Sequence, residues 1–542
     1  MRNALLINPA FPPSYWSYGY ALEFVKKKAN IPPLGLLTVA GMFPADWDLR
    51  VVDLNVEPLL DAHLEWADVA FTTSMIVQEA SLLEVVRRCN RAGVPVVAGG
   101  PHPTSFHAEV NAPFAAGSGV DHFVLGEAED VFPQVLDDLR RGVARPLYEA
   151  PQRPDVARAP IPRFDLIDPH VYGSMALQFS RGCPFDCEFC DITALFGRQP
   201  RTKSNAQMLA ELDALLASGW RGSVFLVDDN FIGNKRDALR LLEAVQVWQE
   251  QHGFPFSFMT EASVNLGELP KLLQAMRACA FNMVFLGIES PGKDALLRTS
   301  KGQNVGRGDD AAGHLLRAVR TIQSYGMEVS GGFIIGLDGD VEFDGHLAFI
   351  REAGIPMAMA GILTAFKGTK LYDRLKREGR LHGESTGSNT DIALNFEPEL
   401  PREVVLAEYR RVIATLYEPS LEGYFERCLT LFAHLAPRAH DGRRITWIDA
   451  RAMFLSLWRQ LLSRRQGPTF ARYLWRVVTR FPRHLPEAFR LAVKGYHFER
   501  VTREQLESDL RRQPARSGEL LAGLDAAVGR LHGEAREGIA AR

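Results

Sequence analysis

Long apolar runs are missing from this chain. No stretch approaches the roughly 18 uninterrupted apolar residues that a membrane-spanning helix needs. The opening MRNALLINPAFPPSYW has one Arg and a short apolar run that stops at Pro9, without the apolar core and cleavage site of a secretory leader. A cytosolic chain is expected. Cysteine is scarce too, with six in 542 residues. In a reducing compartment, clustered thiols read as metal ligands or catalytic groups before disulfides. Cys89, Cys279 and Cys428 stand alone in apolar or helical contexts and read as inert buried thiols. No internal repeat of roughly 20–50 residues is present. A strong net charge is also lacking: the total is −3, although residues 441–500 hold 13 Lys and Arg against 4 Asp and Glu. That basic charge is local and has no nucleic-acid recognition fold beside it, so no nucleic-acid partner is expected.

What is present is an ordinary soluble composition, 46% apolar and 23% charged, in a chain long enough for several domains. Strand-length apolar runs recur at 4–9, 49–55, 69–75, 94–100 and 122–127, with helical patterns between them such as 78–91. Continuous apolar strands alternating with helices predict a parallel sheet covered on both faces, here an open doubly wound (Rossmann-like) α/β domain over 1–144. Six prolines in 145–172 predict an extended linker. A second series at 175–180, 223–229, 256–263, 283–290, 329–337 and 357–366 predicts a full or partial barrel of six βα units over 173–366, with ligands at the carboxyl ends of its strands. Residues 367–514 read as helical, and 515–542 as a frayed tail.

The stretch RGCPFDCEFCDI, residues 181–192, places Cys183, Cys187 and Cys190 on a tight loop after the first strand of the second series. Structural zinc takes four protein ligands, often in paired knuckles, and no second knuckle follows. A disulfide would leave an odd thiol. A cubane iron–sulfur cluster needs one ligand per iron, so three cysteines would leave one iron open to an exogenous ligand.

C-x3-C-x2-C with Phe189 before the last Cys, following the first strand of a βα series, resembles the radical S-adenosylmethionine enzymes. The resemblance implies a [4Fe-4S] cluster on Cys183, Cys187 and Cys190. Its open iron would chelate S-adenosylmethionine, and one electron would release a 5′-deoxyadenosyl radical. The resemblance also implies an electron donor such as flavodoxin or ferredoxin. VDDN (227–230) ends the second strand where the family has a Gly-Gly-Glu-like segment, which brings in Asp228, Asp229 and Asn230; a strand-end turn with a helix N-cap is the alternative. Glu261 ends the third strand. Glu289 and Ser290 in GIES stand at the family's ribose and carboxylate contacts, and Gly332 lies in the glycine-containing fifth strand.

The first domain resembles the cobalamin-binding domain that precedes many such barrels. Candidate contacts at its strand ends are Asp53 and Asn55, then Thr72, Thr73, Ser74 and Gln78, then Gly99, Gly100 and His102, then Gly126 and Glu127. Glycines let backbone approach a corrin, and small hydroxyls bond its nucleotide tail. The cobalt-ligating D-x-H-x-x-G pattern is incomplete: Asp61 and His63 begin it, but Trp66 stands where the pattern should close. Cobalt without a histidine from that motif is therefore implied. Tyr15, Trp16 and Tyr18 either cover the corrin, line the pocket or simply pack.

Further segments in order, among them NPAFPPSYWSY (8–18), IPPLGLLTVAGMFP (31–44), WRGSVFLVDDNFIGNK (220–235) and NFEPEL (395–400), resemble the group that contains the hopanoid C-2 methylase. This implies methyl transfer from cobalamin to an unactivated carbon of a lipid-like substrate. Cyclisation or rearrangement with the same cofactors is one alternative, and a non-catalytic iron–sulfur carrier or redox sensor another. The arginine- and aromatic-rich segments 458–465 and 471–485 fit either peripheral contact of 441–500 with the inner face of a membrane or a solvated face packed on the barrel.

Overall fold

In a computed structural model the described residues are 2–306, 308, 310–388, 391–440 and 447–512. The expected tail at 515–542 and the start of the basic segment, 441–446, lie outside them.

The run ALLIN sets the pattern of the first sheet. β1 (Asn3–Asn8) pairs in parallel with β2 (Asp48–Asp53) and β3 (Val69–Thr73). The sheet continues through β4 (Val96–Gly99), β5 (His122–Leu125) and β6 (Leu147–Glu149). A strand turns successive side chains to opposite faces. Leu5 and Ile7 therefore join a core with Leu82, Val85 and Val86 of helix Glu79–Ala92, while Ala4 and Leu6 join a second core with Leu36 and Phe132. Burial on both faces is why these strands read as continuous apolar runs. In the order β2-β1-β3-β4-β5-β6 the winding reverses between β1 and β3, which opens a crevice at their carboxyl ends.

The sequence reading has five strands here; the structure has six. The prolines around Leu147–Glu149 conceal it. Pro146 has no N–H, but its carbonyl accepts from the Phe123 amide at 2.8 Å, all that an edge position asks of it. Tyr148 anchors the short strand, buried, with its hydroxyl donating to Asp138 at 2.9 Å.

The second sheet starts at β7 (Met175–Leu177). A small antiparallel pair, β8 (Ser180–Arg181) and β9 (Arg201–Thr202), brackets the cysteine loop. β10 (Gly222–Leu226), β11 (Phe256–Ala262), β12 (Phe281–Glu289), β13 (Glu328–Ile335) and β14 (Ala358–Ile362) follow. All six large strands are parallel, each beside its neighbour in sequence, with β7 and β14 as the two edges. This is the partial (β/α)6 barrel. On β11, Phe256 and Phe258 are buried outward, where Trp248 stacks on Phe256. Met259 and Glu261 alternate with them and face the lumen.

The C-terminal helices share the barrel's core. Tyr409, Tyr424, Tyr473 and Phe498 belong to the same buried cluster as Val329 and Met357. The loop after β1 enters it too: the Tyr15 hydroxyl is 2.7 Å from Thr502 Oγ1, the Trp16 ring is 5.1 Å from Phe285, and Tyr18 donates to Met357 Sδ at 3.6 Å. These aromatics thus pack against the barrel and the helix Leu485–Arg512. Cys89, Cys279 and Cys428 are buried and free. Among the described residues no helix is long and apolar enough to cross a membrane.

Candidate active site

The cysteine loop is held in place by the end of β10. Asp228, buried, accepts hydrogen bonds from the Phe179 amide (3.1 Å) and from the amide and hydroxyl of Ser180. Asp229 accepts from the Gly182 amide at 2.9 Å. Neither caps a helix: the following helix, Lys235–His252, is capped by Asn234, whose side chain accepts from the Asp237 amide. Gly182 has φ +94°, and a Cβ there would lie 2.8 Å from the Gly197 carbonyl, so only glycine fits this entry to the loop. Two amide side chains face the sulfurs, Asn230 at 3.7 Å from Cys183 Sγ and Gln303 at 3.6 Å from Cys187 Sγ. Burial raises the Cys183 thiol and pushes Cys190 up to about 12, while the Lys301 ammonium pulls both down. Buried thiols with donors aimed at them ionise when a bound cation joins them. That donor set fits an iron–sulfur cluster. Among the described residues no group of three or more His, Cys, Asp and Glu is placed to hold a single metal ion.

The barrel mouth gathers more carboxyl groups than cations. Burial pushes Asp228 up to about 7, Asp229 up to about 6 and Glu261 up to about 8, and neighbouring carboxylates add to each rise, Asp229 at Asp228, Asp191 and Glu127 at Asp229, and both aspartates at Glu261. Glu289 instead holds a cation, Lys301, at 2.7 Å. Burial disfavours the Lys301 charge, yet Glu289 and the thiols keep its pKa above the ordinary lysine value. Glu289 takes φ +63°, a left-handed conformation that costs a β-carbon residue about 1–2 kcal/mol. Glycine makes room for the ion pair: a Cβ on Gly287 would sit 2.6 Å from Glu289 Oε1 and 3.0 Å from Lys301 Nζ. Ser290 Oγ accepts from the Gly292 amide at 2.9 Å, and the Phe189 ring lies 5.7 Å from Lys301 Nζ. Gly332 pairs in register with Gly287, and a Cβ on it would meet the Phe285 ring at 3.0 Å. A mouth with unpaired buried carboxylates beside a thiol loop fits a ligand bearing positive charge, as the ammonium and sulfonium of S-adenosylmethionine do.

In the crevice of the first sheet the candidates divide. Asp53 accepts from Asn8 (2.9 Å), Asn55 (2.7 Å) and Tyr172 (3.0 Å), and Asn55 accepts from the Phe11 amide at 2.8 Å. Gln78 spans the Met75 amide and the Pro9 carbonyl. These side chains are committed to holding the ends of β1, β2 and β3. Thr72 Oγ1 is different: it is buried and has no hydrogen-bond partner among the described residues. Gly100 has φ +93°, and a Cβ there would fall 2.2 Å from Thr73 Oγ1. Ser74 Oγ is 3.3 Å from His102 Nδ1. Burial lowers His102 to about 4, so its ring is neutral near pH 7. A Cβ on Gly99 would meet the Val124 carbonyl at 3.1 Å, and the Gly126 amide donates to Thr104 at 3.0 Å. An orphaned buried hydroxyl beside a glycine cradle fits a polar, bulky cofactor such as cobalamin. His63 lies in the helix Asp61–Trp66, where its Nδ1 accepts from the Leu60 amide at 3.2 Å.

The two sites meet at Glu127. Its carboxylate pairs with Arg181 at 2.7 Å and Arg201 at 2.6 Å, and Arg181 also pairs with Glu129 at 2.7 Å. Sequence reasoning missed Arg181, Arg201, Glu129, Lys301 and Gln303. RGC and KGQN look like ordinary polar loops until the barrel closes over them. The one signal was Arg181 itself, two residues ahead of Cys183.

Comparison with known proteins locates the same parts. A B12 binding domain matches residues 24–136, the radical SAM superfamily matches 177–350, and a domain of unknown function matches 369–509. An uncharacterized methyltransferase of Synechocystis sp. is 40% identical, covering 94% of each chain. The hopanoid C-2 methylase of Rhodopseudomonas palustris is 35% identical over 81% of each chain. The structure of the cobalamin-dependent S-adenosylmethionine radical enzyme OxsB, with aqua-cobalamin and S-adenosylmethionine bound, superposes with a TM-score of 0.59 at 12% identity, covering 95% of this chain and 81% of that one. At that identity the likeness is one of fold.

Proposed function

The chain belongs to the cobalamin-binding radical S-adenosylmethionine enzymes, in the group that contains the hopanoid C-2 methylase, with a [4Fe-4S] cluster, S-adenosylmethionine and cobalamin as its cofactors; from that premise we propose that it methylates an unactivated carbon of a lipid-like substrate, a hopanoid being one example. The observation that carries methyl transfer is the match to an uncharacterized methyltransferase over 94% of each chain and to a hopanoid methylase over 81%.

When bound, the cofactors supply a carbon-centred radical and a methyl group. The protein's part is position and shielding. Cys183, Cys187 and Cys190 would hold the cluster. Asp228 fixes the strand end that leads into their loop, and Asp229 fixes Gly182. Glu261 and Asp229 would face the ammonium of S-adenosylmethionine, with Glu289 and Lys301 closing the other side of the mouth. Phe189, Asn230, Ser290 and Gly332 would complete that cradle. Thr72, Thr73, Ser74, Gly99, Gly100, His102 and Gly126 would line the corrin side. Asp53, Asn55 and Gln78 would act from behind by holding the strand ends. Hydrogen abstraction from carbon needs no general base, and none is assigned.

The lumen side of the barrel suits an apolar substrate, with Met259, Phe285 and Ile334 half-buried there. Flavodoxin or ferredoxin would supply electrons, and the basic C-terminal segment would rest on the inner face of a membrane.

Anaerobic turnover of the reconstituted protein with S-adenosylmethionine, methylcobalamin, a reductant and hopanoid lipids, followed by mass spectrometry, tests the reading. A methylated lipid together with 5′-deoxyadenosine, both lost in Cys187→Ala, is expected. Deoxyadenosine with an unmethylated, rearranged lipid would replace methyl transfer by cyclisation or rearrangement. A competent cluster that never yields deoxyadenosine would leave the carrier role.

A further inference from the structure

Helix Gly467–Arg480 carries two apolar stripes. Phe470, Tyr473 and Val477 are buried against the neighbouring helices, as an amphipathic helix requires. A turn-spaced second stripe, Trp475 and Val478 with Pro468 and Ala471, faces water, and Trp475 is 70% exposed. The preceding helix, Trp447–Ser456, and its continuation Leu457–Leu461 do the same: Trp447 is 83% exposed and Trp458 60%, with Phe454, Leu461 and Leu462 beside them. Of the 18 large hydrophobic residues exposed among the described residues, eight fall between Trp447 and Val478, so the patch is concentrated on one pair of helices. Both helices pack on Leu485–Arg512, and their exposed stripes lie off that contact.

The charge that the two helices carry beyond Asp449 is basic. No acidic residue occurs between Asp449 and Glu487 in the sequence, and eight arginines do. Arg459, Arg472 and Arg476 are paired to Glu23, Glu422 and Glu426. Arg464 and Arg465 in the turn between the helices, and Arg480 and Arg483 at the far end, are exposed and make no ion pair among the described residues.

We infer that this two-helix face, Trp447–Arg483, is a docking surface for an anionic lipid bilayer, with Trp447, Phe454, Trp458 and Trp475 entering the headgroup region and the four unpaired arginines meeting lipid phosphates. Tryptophan is favoured at that depth because its ring is apolar and its N–H is polar. Arginine gains from the negative surface potential. The flanking charge selects this occupant over a second copy of the chain, because two such faces would bring like charges together. The contact lies along the surface, since no described helix spans a bilayer. The inference deepens the lipid reading above and rests on it for its purpose: a lipid-modifying enzyme held at the bilayer meets its substrate there.

The test is flotation of the full-length protein with phosphatidylglycerol–phosphatidylcholine vesicles and with pure phosphatidylcholine vesicles, at low and high salt. Binding to the anionic vesicles alone, weakened by salt, is expected. Arg464→Glu/Arg465→Glu should lower the partition coefficient about 30-fold or more, and Trp458→Ser/Trp475→Ser should abolish flotation. Quenching of wild-type tryptophan fluorescence by brominated lipid reads the same contact without any substitution. No flotation at low salt, or flotation unchanged in both variants, overturns the inference. So does concentration-dependent self-association lost in the tryptophan variant, which would make a second copy the occupant. Turnover on detergent-dispersed substrate is scored separately: flotation without turnover keeps the surface and sinks the function, and turnover without flotation does the reverse.

Discussion

The guanidinium of Arg181, two residues ahead of the first thiol of the cysteine loop, lies 2.7 Å from the carboxylate of Glu127, which stands at the end of the fifth strand of the other domain. Both side chains are shielded from water, at 13% and 4% exposure. The pair ties the loop after the fifth strand of the first domain to the cysteine loop through one charge cluster, with Glu129 and Arg201 as its other members.

Removing one member of a buried pair leaves the other charged without compensation, typically at about 3–5 kcal/mol. Arg181→Met leaves Glu129 without its cation, whereas Glu127 keeps Arg201. Urea unfolding should show a loss of that size, and the purified variant should retain less iron and bind cobalamin more weakly. Wild-type stability with both cofactors retained would separate the cluster from the alignment of the two sites.

Asp228 and Glu261 sit in the same mouth but do different work. Asp228 is saturated by hydrogen bonds from Phe179 and Ser180, while Glu261 has no cation partner among the described residues. Asp228→Asn should therefore lower iron content, read by absorption of the reconstituted cluster. Glu261→Gln should leave the cluster intact and weaken S-adenosylmethionine binding by about 10–100-fold, the scale of one charged hydrogen bond. Equal effects on iron in both variants would merge the two roles.

Glu289→Ala strands the buried ammonium of Lys301. A stability loss of about 3–5 kcal/mol is expected. The double variant Glu289→Gln/Lys301→Met removes both charges and should recover most of it, because a matched neutral pair carries no desolvation penalty. A double variant as unstable as the single one would show that lost packing and hydrogen bonding around the two side chains, rather than the stranded charge, set the cost.

His497 is fully buried on the long C-terminal helix, its Nε2 3.2 Å from the Tyr15 carbonyl. Burial lowers its pKa from 6.5 to about 4, partly opposed by the Tyr15 and Ser14 backbone and by Glu504. The folded chain holds the neutral ring, so this contribution is intact above pH 6.5 and is lost as pH falls toward 4, up to about 3 kcal/mol. Stability measured across that window should fall more steeply for the wild type than for His497→Gln. Parallel curves would place the acid sensitivity elsewhere.

Much of this protein is written locally. The apolar runs determine both parallel sheets, because strands covered on two faces carry apolar side chains at most positions, and the C-x3-C-x2-C loop places three thiols within eight residues. Cys89, Cys279 and Cys428 follow from apolar context alone. Other features exist only once distant segments meet. Leu147–Glu149 becomes a strand because β5 offers it an edge. Asp228 and Asp229, which read as either ligand contacts or a helix cap, turn inward to the cysteine loop because β7 lies beside β10. Tyr15 and Trp16 leave the first sheet because the barrel and the helix Leu485–Arg512 offer a larger apolar surface. Lys301 acquires its partner, and Arg181 its two carboxylates, only when loops from separate strands share one low-dielectric space. Periodicity and motif are properties of neighbours along the chain, whereas burial, unpaired charge and ion pairing are properties of neighbours in space.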